Sequence, residues 1–282
     1  MRFFKGNSSS SPEKKQHKRI CRDVACNVWA QKSAFNFDIT ISHSFTLLVV
    51  RHLDVASNVY NKNYPPKSPK MNLIQSYTFN SFQENMYIIS DETHEAIIID
   101  PGCSNAKEEY IVQAYIEKNK LVVKGIYNTH CHIDHILGVN FAKNLLEVPF
   151  YAHAFEERNF SAEAKAIIQM WGIVCPDIKI DHYITETDKI MFGNTVLDIL
   201  FVPGHSPGHL AFYNKAEKYC INGDVLFNMG IGRTDLPGGS YTVLMKSIFE
   251  QLFTLPDDTV VYSGHGNSTT IGFEKQYNPF LI

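Results

Sequence analysis

A mixed α/β or α+β domain starting at Met71 is the fold class this sequence predicts, and three observations carry the expectation. Short β-rich runs bounded by turn residues alternate with segments of helical apolar spacing. No stretch repeats with a period of 20–50 residues, so a solenoid or propeller is excluded. The 212 residues from 71 to 282 suit one domain with sheets packed against helices.

The elements follow in order. Leu73–Phe79, Met86–Ser90 and Ala96–Asp100 read as strands separated by turn residues. Over Glu108–Asn119, Tyr110, Ile111, Ala114 and Tyr115 form an apolar stripe, which predicts a helix. Val122–Asn128 reads as a strand, Asp134–Leu146 as a helix, Pro149–Ala152 as a strand and Phe155–Trp171 as a longer helix. Ile178–Ile184, Lys189–Phe192 and Thr195–Val202 read as strands, with Gly193-Asn194 marking a hairpin turn. Strands Leu210–Tyr213 and Tyr219–Asn222, helix Tyr241–Phe253 and strand Thr259–Ser263 complete the pattern.

Residues 1–70 read differently. Ser8-Ser9-Ser10-Ser11-Pro12 opens a polar stretch without period, and Pro65-Pro66 and Pro69 close the segment. It is expected to be a disordered extension or a start wrongly included in the chain. The alternative is an organelle presequence, since the first 32 residues are Ser-rich and acid-poor, although their basic residues are mostly Lys. Charge divides at the same place: 1–70 carries 12 Lys/Arg against 4 Asp/Glu, whereas 71–282 carries 14 against 25. An acidic main domain argues against a nucleic-acid partner. No apolar run approaches the ~20 residues of a membrane span. Six scattered cysteines without a CxxC pair point to reduced thiols and a cytoplasmic protein.

The chemistry concentrates in Thr129-His130-Cys131-His132-Ile133-Asp134-His135. Four metal-ligating side chains fall within six residues, directly after a strand. His130 and His132, two apart, point the same way on an extended backbone. Asp134 and His135 open the next helix and face a second point nearby. Three further pieces share one grammar of apolar strand, glycine, then ligand: Val202-Pro203-Gly204-His205, Asn222-Gly223-Asp224 and Ser263-Gly264-His265. Glycine lets backbone approach a metal without a Cβ clash. Five His and two Asp suffice for two cations sharing one carboxylate, and imidazole with carboxylate suits Zn²⁺, Fe or Mn²⁺.

This set of residues resembles the metallo-β-lactamase superfamily. The resemblance rests on His130-x-His132-x-Asp134-His135 with His205, Asp224 and His265, and on Asp100 in Ile99-Asp100-Pro101-Gly102. It covers 71–282 and none of 1–70. It implies an α+β fold, the αββα sandwich of two mixed sheets flanked by helices. It implies that His130, His132 and His205 hold a first metal, that Asp134, His135 and His265 hold a second, and that Asp224 bridges them. Asp100 is then a buttress of the His130 loop. A class B1 β-lactamase would carry Cys in place of Asp224, and a flavodiiron protein Glu in place of His132. Nuclease branches carry long insertions that the spacings of 19 residues from His205 to Asp224 and 41 from Asp224 to His265 do not accommodate.

Gly230-Ile231-Gly232-Arg233-Thr234-Asp235-Leu236-Pro237-Gly238-Gly239 and Asn278-Pro279-Phe280 look like the glyoxalase II-like hydrolases, the hydroxyacylglutathione hydrolase family. The chain stops 17 residues after His265 and so resembles their short, single-domain branch, without the helical segment that recognises glutathione in the long forms. The activity implied is hydrolysis of a small-molecule thioester by hydroxide held between two divalent cations, Zn²⁺ first and Fe or Mn as alternatives, with Asp134 or Asp224 accepting a proton. Arg233 is expected either to contact an anionic substrate group or to pair with Asp235. Ser206 and His209 are expected to shape the His205 loop, and Cys131 to point away from the metals. Tyr151, His153 and Trp171 either line the pocket or only pack. The rival on the same fold is a mono-iron persulfide dioxygenase, and a rival of another class is a non-catalytic metal-binding module. Oligomeric state is not legible in the sequence.

Overall fold

Alternation within single strands dictates the layering. The computed structural model describes residues 72–170 and 172–282; the expectations placed on residues 1–70, on Met71 as the domain start and on Trp171 fall outside them. In chain order the elements are β1 (Leu73–Phe79), β2 (Glu84–Ser90), β3 (Glu95–Ile99), α1 (Ala106–Asn119), β4 (Val122–Tyr127), α2 (Ile133–Ile136), α3 (Val139–Leu146), β5 (Phe150–Ala152), α4 (Ala162–Met170), β6 (His182–Tyr183), β7 (Lys189–Phe192), β8 (Thr195–Phe201), β9 (Leu210–Asn214), β10 (Tyr219–Gly223), β11 (Leu226–Phe227), β12 (Gly230–Ile231), α5 (Tyr241–Glu250), β13 (Val260–Ser263), β14 (Thr269–Thr270) and α6 (Ile271–Tyr277). Two six-stranded sheets form, β1-β2-β3-β4-β5-β6 and β14-β13-β10-β9-β8-β7.

On β2 and β3, Tyr87, Ile89, Ile97 and Ile99 enter one apolar cluster with Leu197, Phe212 and Ile221 of the other sheet. Met86, Ile88, Ala96 and Ile98 enter another with Val112 and Ile116 of α1 and Ile136 and Val139 of α2 and α3. A strand apolar on both faces must be covered on both. The second sheet repeats this logic, with Ala211, Cys220 and Val261 packed under Leu244 and Ile248 of α5 and Ile271 of α6. The result is the helix–sheet–sheet–helix sandwich.

Strand direction then places the chemistry. β3 and β4 run parallel, as do β10 and β13. β8 and β10 both pair antiparallel with β9, so β8, β10 and β13 point one way. The chain leaves β3, β4, β8, β10 and β13 into Asp100, His130, His205, Asp224 and His265 respectively.

Several element boundaries differ from the sequence expectation. The helix over Asp134–Leu146 is two helices, because the Gly138 amide leaves the helical ladder and donates to the Pro101 carbonyl at 2.7 Å. The Phe155–Trp171 helix is a 3-10 segment, Ala154–Phe160, followed by α4. Ser161 is extended between them, and its hydroxyl accepts from the Ala164 amide at 3.2 Å, as an N-cap does. Only His182–Tyr183 of the Ile178–Ile184 run pairs as a strand. The β11–β12 hairpin, β14 and α6 carry too few residues to show a period, and the sequence pattern does not reveal them. No helix among the described residues is long and apolar enough to cross a membrane.

Candidate metal centre

The strand ends bring the seven predicted ligands together, six of them in two groups of three. Ligating atoms of His130, His132 and His205 lie within 4.8 Å of one another, and so do those of Asp134, His135 and His265. Asp224 stands between them. Its Oδ2 is 3.5 Å from His205 Nε2 and 3.4 Å from His265 Nε2, and its Oδ1 is 3.6 Å from His135 Nε2. His265 Nε2 also lies 3.2 Å from Asp134 Oδ2.

Hydrogen bonds to the far side of each ring assign the tautomers. Thr129 Oγ1 donates its one proton to Asp100 Oδ2 at 2.6 Å, so toward His130 Nδ1, 3.1 Å away, it can only accept. His205 Nδ1 donates to the Arg233 carbonyl at 2.8 Å. His265 Nδ1 faces the carbonyls of Phe82 and Gln83 at 3.1 and 3.2 Å. His135 Nδ1 is 3.1 Å from Asp100 Oδ2. Each of these four rings therefore turns Nε2 toward the centre, the arrangement in which an outer partner orients a metal-binding imidazole. His132 differs, since its Nδ1 faces His205 Nε2 at 2.9 Å.

Asp100 buttresses the His130 loop as expected. It accepts the Thr129 amide at 2.7 Å, and it orients His135 as well. His209 is not a ligand candidate by geometry. Its Nε2 accepts the Asp224 amide at 3.1 Å, its Nδ1 faces the Leu210 carbonyl at 3.1 Å, and its ring stacks on His130 at 4.6 Å. Two glycines carry the close approach the sequence suggested. A Cβ on Gly264 would lie 2.1 Å from Asp224 Oδ1, and Gly223 adopts φ +51 beneath Thr129.

Electrostatics separate the two groups. Burial drives His130 well below its ordinary range, and burial with the neighbouring His205 takes His132 down to about 3. Burial lowers His205 too. These rings are neutral and keep lone pairs for a cation. Burial pulls His265 down as well, but hydrogen bonds to Asp134 and Asp224 outweigh it and carry the ring up to about 10. Burial likewise opposes the charged form of His135, and Asp134 and Asp224 overcome it. In the free chain, protons on these two rings stand where cations would balance the carboxylates. His130 Nε2, His135 Nε2 and Asp224 Oδ1 are buried without a hydrogen-bond partner. Each such group costs about 1–3 kcal/mol unless something binds it. The donor set therefore fits a pair of divalent cations.

Four supporting residues escaped the sequence reading. Glu156 is fully buried and accepts four hydrogen bonds: Ser206 Oγ at 2.5 Å and the Gly208 amide at 2.7 Å on Oε1, the Cys131 amide at 2.7 Å and Asn159 Nδ2 at 2.7 Å on Oε2. It fastens the His130 loop to the His205 loop. Asn128 Nδ2 donates to the His130 and His135 carbonyls at 3.1 and 2.9 Å. Asn85 Nδ2 donates to the carbonyls of Ser263 and Gly266 around His265 at 3.1 and 2.8 Å. Glu84 lies fully buried, its Oε1 3.8 Å from His135 Nδ1, and burial pushes its carboxyl far up. Asn128 at a strand end before Thr-His was the one available signal. The glutamates sit in segments whose folding path the sequence does not show.

Arg233 forms a two-pronged pair with Asp235, both contacts at 2.7 Å, as one of the two expectations held. Cys131 turns into the helix-side core. Tyr151 stacks on Tyr127, and His153 stacks on Phe201. A cavity of about 770 Å³ opens over the candidate ligands His132, Asp134, His205, Asp224 and His265, with Phe82, Phe227, Leu236 and Pro237 among its walls.

Buried imidazoles and carboxylates converging at one edge of the sandwich, beneath a cavity, make a candidate metal-binding site. A family model described as "Metallo-beta-lactamase superfamily" matches residues 80–265, and the chain belongs to that superfamily as a metal-dependent hydrolase. It is 40% identical over 202 residues to "Probable metallo-hydrolase YqgX" of Bacillus subtilis (strain 168), covering 71% of this chain and 92% of that protein. It is 36% identical over 203 residues to "Hydroxyacylglutathione hydrolase GloC" of Haemophilus influenzae, covering 71% and 94%. Among solved structures, TTHA1623 "in a di-iron-bound form" superposes with a TM-score of 0.64 at 33% identity, covering 73% of this chain and all of that one.

Proposed function

We propose that the chain is a thioester hydrolase of the glyoxalase II type, acting on a small-molecule thioester such as an S-2-hydroxyacyl conjugate of a thiol carrier. The observation that carries the reading is the pair of three-residue groups joined by Asp224 at the floor of one cavity. The likeness to GloC supports the substrate class. In this reading His130, His132 and His205 would hold one cation and Asp134, His135 and His265 a second, with Asp224 available to either. Zn²⁺ is the first choice, with Fe or Mn as alternatives; the di-iron relative supports iron among them.

When bound, two such cations supply hydroxide at neutral pH and draw electron density from a carbonyl. The protein's own residues do the rest. Asp134 and Asp224 carry negative charge beside His265, and one of these two carboxylates would take up the proton of the attacking water. Thr129 and Asp100 fix the His130 ring through its Nδ1 side, so the ligand does not turn as charge develops. Phe82, Phe227 and Leu236 exclude bulk water from the reacting thioester.

The test is metal content by elemental analysis of the full chain purified without chelator, followed by a screen of thioesters. About two metals per chain and thioester turnover are expected. Asp224→Ala then lowers the metal content toward one or none and abolishes turnover. A single iron per chain, with oxygen consumed in the presence of a persulfide, would overturn the reading in favour of a dioxygenase. Tight metal binding with no turnover of any thioester would instead favour a metal-binding module.

A further inference from the structure

His209 is fully buried, and the chemistry described so far makes no use of it. It directly precedes β9, where three ligand-bearing strand ends meet. At the end of β8 the Val202 amide donates to the His209 carbonyl at 2.9 Å. The next residue, Leu210, donates its amide to the Thr129 carbonyl at 2.8 Å, beside His130 at the end of β4. The His209 ring stacks on the His130 ring, with centroids 4.6 Å apart and planes 17° from parallel. Its other side meets the end of β10, where a Cβ on Gly223 would lie 2.7 Å from His209 Cε1. Nδ1 faces the Leu210 carbonyl at 3.1 Å, and a carbonyl only accepts, so Nδ1 carries the proton and Nε2 keeps its lone pair. That lone pair accepts the Asp224 amide at 3.1 Å.

Asp224 is the residue that most needs a restraint. It follows Gly223, whose φ of +51 turns the chain out of β10, and a glycine leaves the backbone free to turn elsewhere. Its carboxylate has to stay within reach of both groups, with Oδ2 3.5 Å from His205 Nε2 and 3.4 Å from His265 Nε2, and Oδ1 3.6 Å from His135 Nε2. Oδ1 itself is buried without a hydrogen-bond partner. We infer that His209 is a positioning residue of the metal centre: its Nε2 anchors the Asp224 amide and so holds that carboxylate where both groups of three meet it. A residue that only shaped the loop of His205, four positions earlier, would touch neither Asp224 nor His130. The inference rests on the two-cation part of the proposed function and not on the thioester.

Two substitutions in the full chain divide the contacts of the ring. His209→Phe keeps a ring to stack on His130 and removes the acceptor. His209→Gln removes the ring and can place an amide oxygen near the position of Nε2. Each chain is stripped with chelator, checked by circular dichroism, followed by hydrogen exchange at the Asp224 amide, and titrated with Zn²⁺ against a competing chelator. In His209→Phe the Asp224 amide should exchange about tenfold faster, the worth of one hydrogen bond. Its Zn²⁺ affinity should fall about 10–100-fold, as for other residues that support ligands from behind. His209→Gln should recover most of both. The unmodified, stripped chain gives a reading that needs no variant: nuclear magnetic resonance should show a nitrogen–nitrogen coupling between the Asp224 amide and His209 Nε2. Absence of that coupling, exchange and affinity unchanged in His209→Phe, or a His209→Gln as impaired as His209→Phe, would overturn the assignment. Protection of the Asp224 amide that depends on the acceptor, in a chain that binds a single cation, upholds the anchor and refutes the two-cation reading instead.

Discussion

Replacing Glu156 by Gln tests whether the two His-bearing loops are held by one buried carboxylate. The substitution conserves shape, and its cost follows from the donors. Oε1 accepts Ser206 Oγ and the Gly208 amide, and Oε2 accepts the Cys131 amide and Asn159 Nδ2. Whichever oxygen becomes the NH₂ group, one rotatable donor and one fixed backbone N–H lose their acceptor. The Ser206 hydroxyl can turn to accept, and the Asn159 amide can flip. The backbone amide can do neither and faces another donor. An orphaned buried amide costs about 1–3 kcal/mol, and the surviving bonds lose their charge assistance. A loss of about 2–4 kcal/mol follows. Cys131 lies between His130 and His132, and Ser206 directly follows His205, so the displacement also loosens the first ligand group. Metal affinity should fall about 10–100-fold, as for other residues that support ligands from behind. Urea denaturation at constant m, together with metal retention against a competing chelator, measures both quantities. A stability loss under about 1 kcal/mol with unchanged metal retention would refute the clasp.

Other expectations follow from the same geometry. Gly264→Ala should fold yet lose the metal shared through Asp224, because the new Cβ would sit 2.1 Å from Asp224 Oδ1 and 2.7 Å from His135 Cε1; elemental analysis beside circular dichroism separates the two effects. The chelator-stripped chain should be most stable near the ordinary pKa of a free histidine. Between the unfolded value of about 6.5 and the folded value of about 10, His265 binds more protons in the native state, so stability falls as pH rises through that window. Between about 6.5 and the folded value of about 3, His132 binds fewer protons in the native state, so stability falls as pH drops. Thermal denaturation of stripped chain across pH should show both arms. Adding Zn²⁺ should remove the alkaline one, since a metal displaces the ring protons; an alkaline arm that survives metal loading would contradict the second ligand group.

The sequence alone was enough for the fold class and for naming the seven side chains that converge at one edge of the sandwich, and the reason is local. Ligands follow strand ends, strands announce themselves as short β-rich runs bounded by turn residues, and the glycine before His205, Asp224 or His265 is adjacent in the chain. The helix over Asp134–Leu146 was legible, but its break was not. That break depends on a hydrogen bond from Gly138 to Pro101, 37 residues earlier. Arg233 shows the same division. Its pair with Asp235 was legible two residues away, whereas its carbonyl's role in orienting His205 was not. The tertiary structure alone decided which nitrogen His135, His205 and His265 turn inward, because that is set by Asp100, Arg233, Phe82 and Gln83, distant in sequence from the rings they hold. It alone brought Glu156 under Cys131 and Gly208, 25 and 52 residues away. Local pattern encodes which residues can bind a cation; only packing across two sheets determines which lone pairs meet.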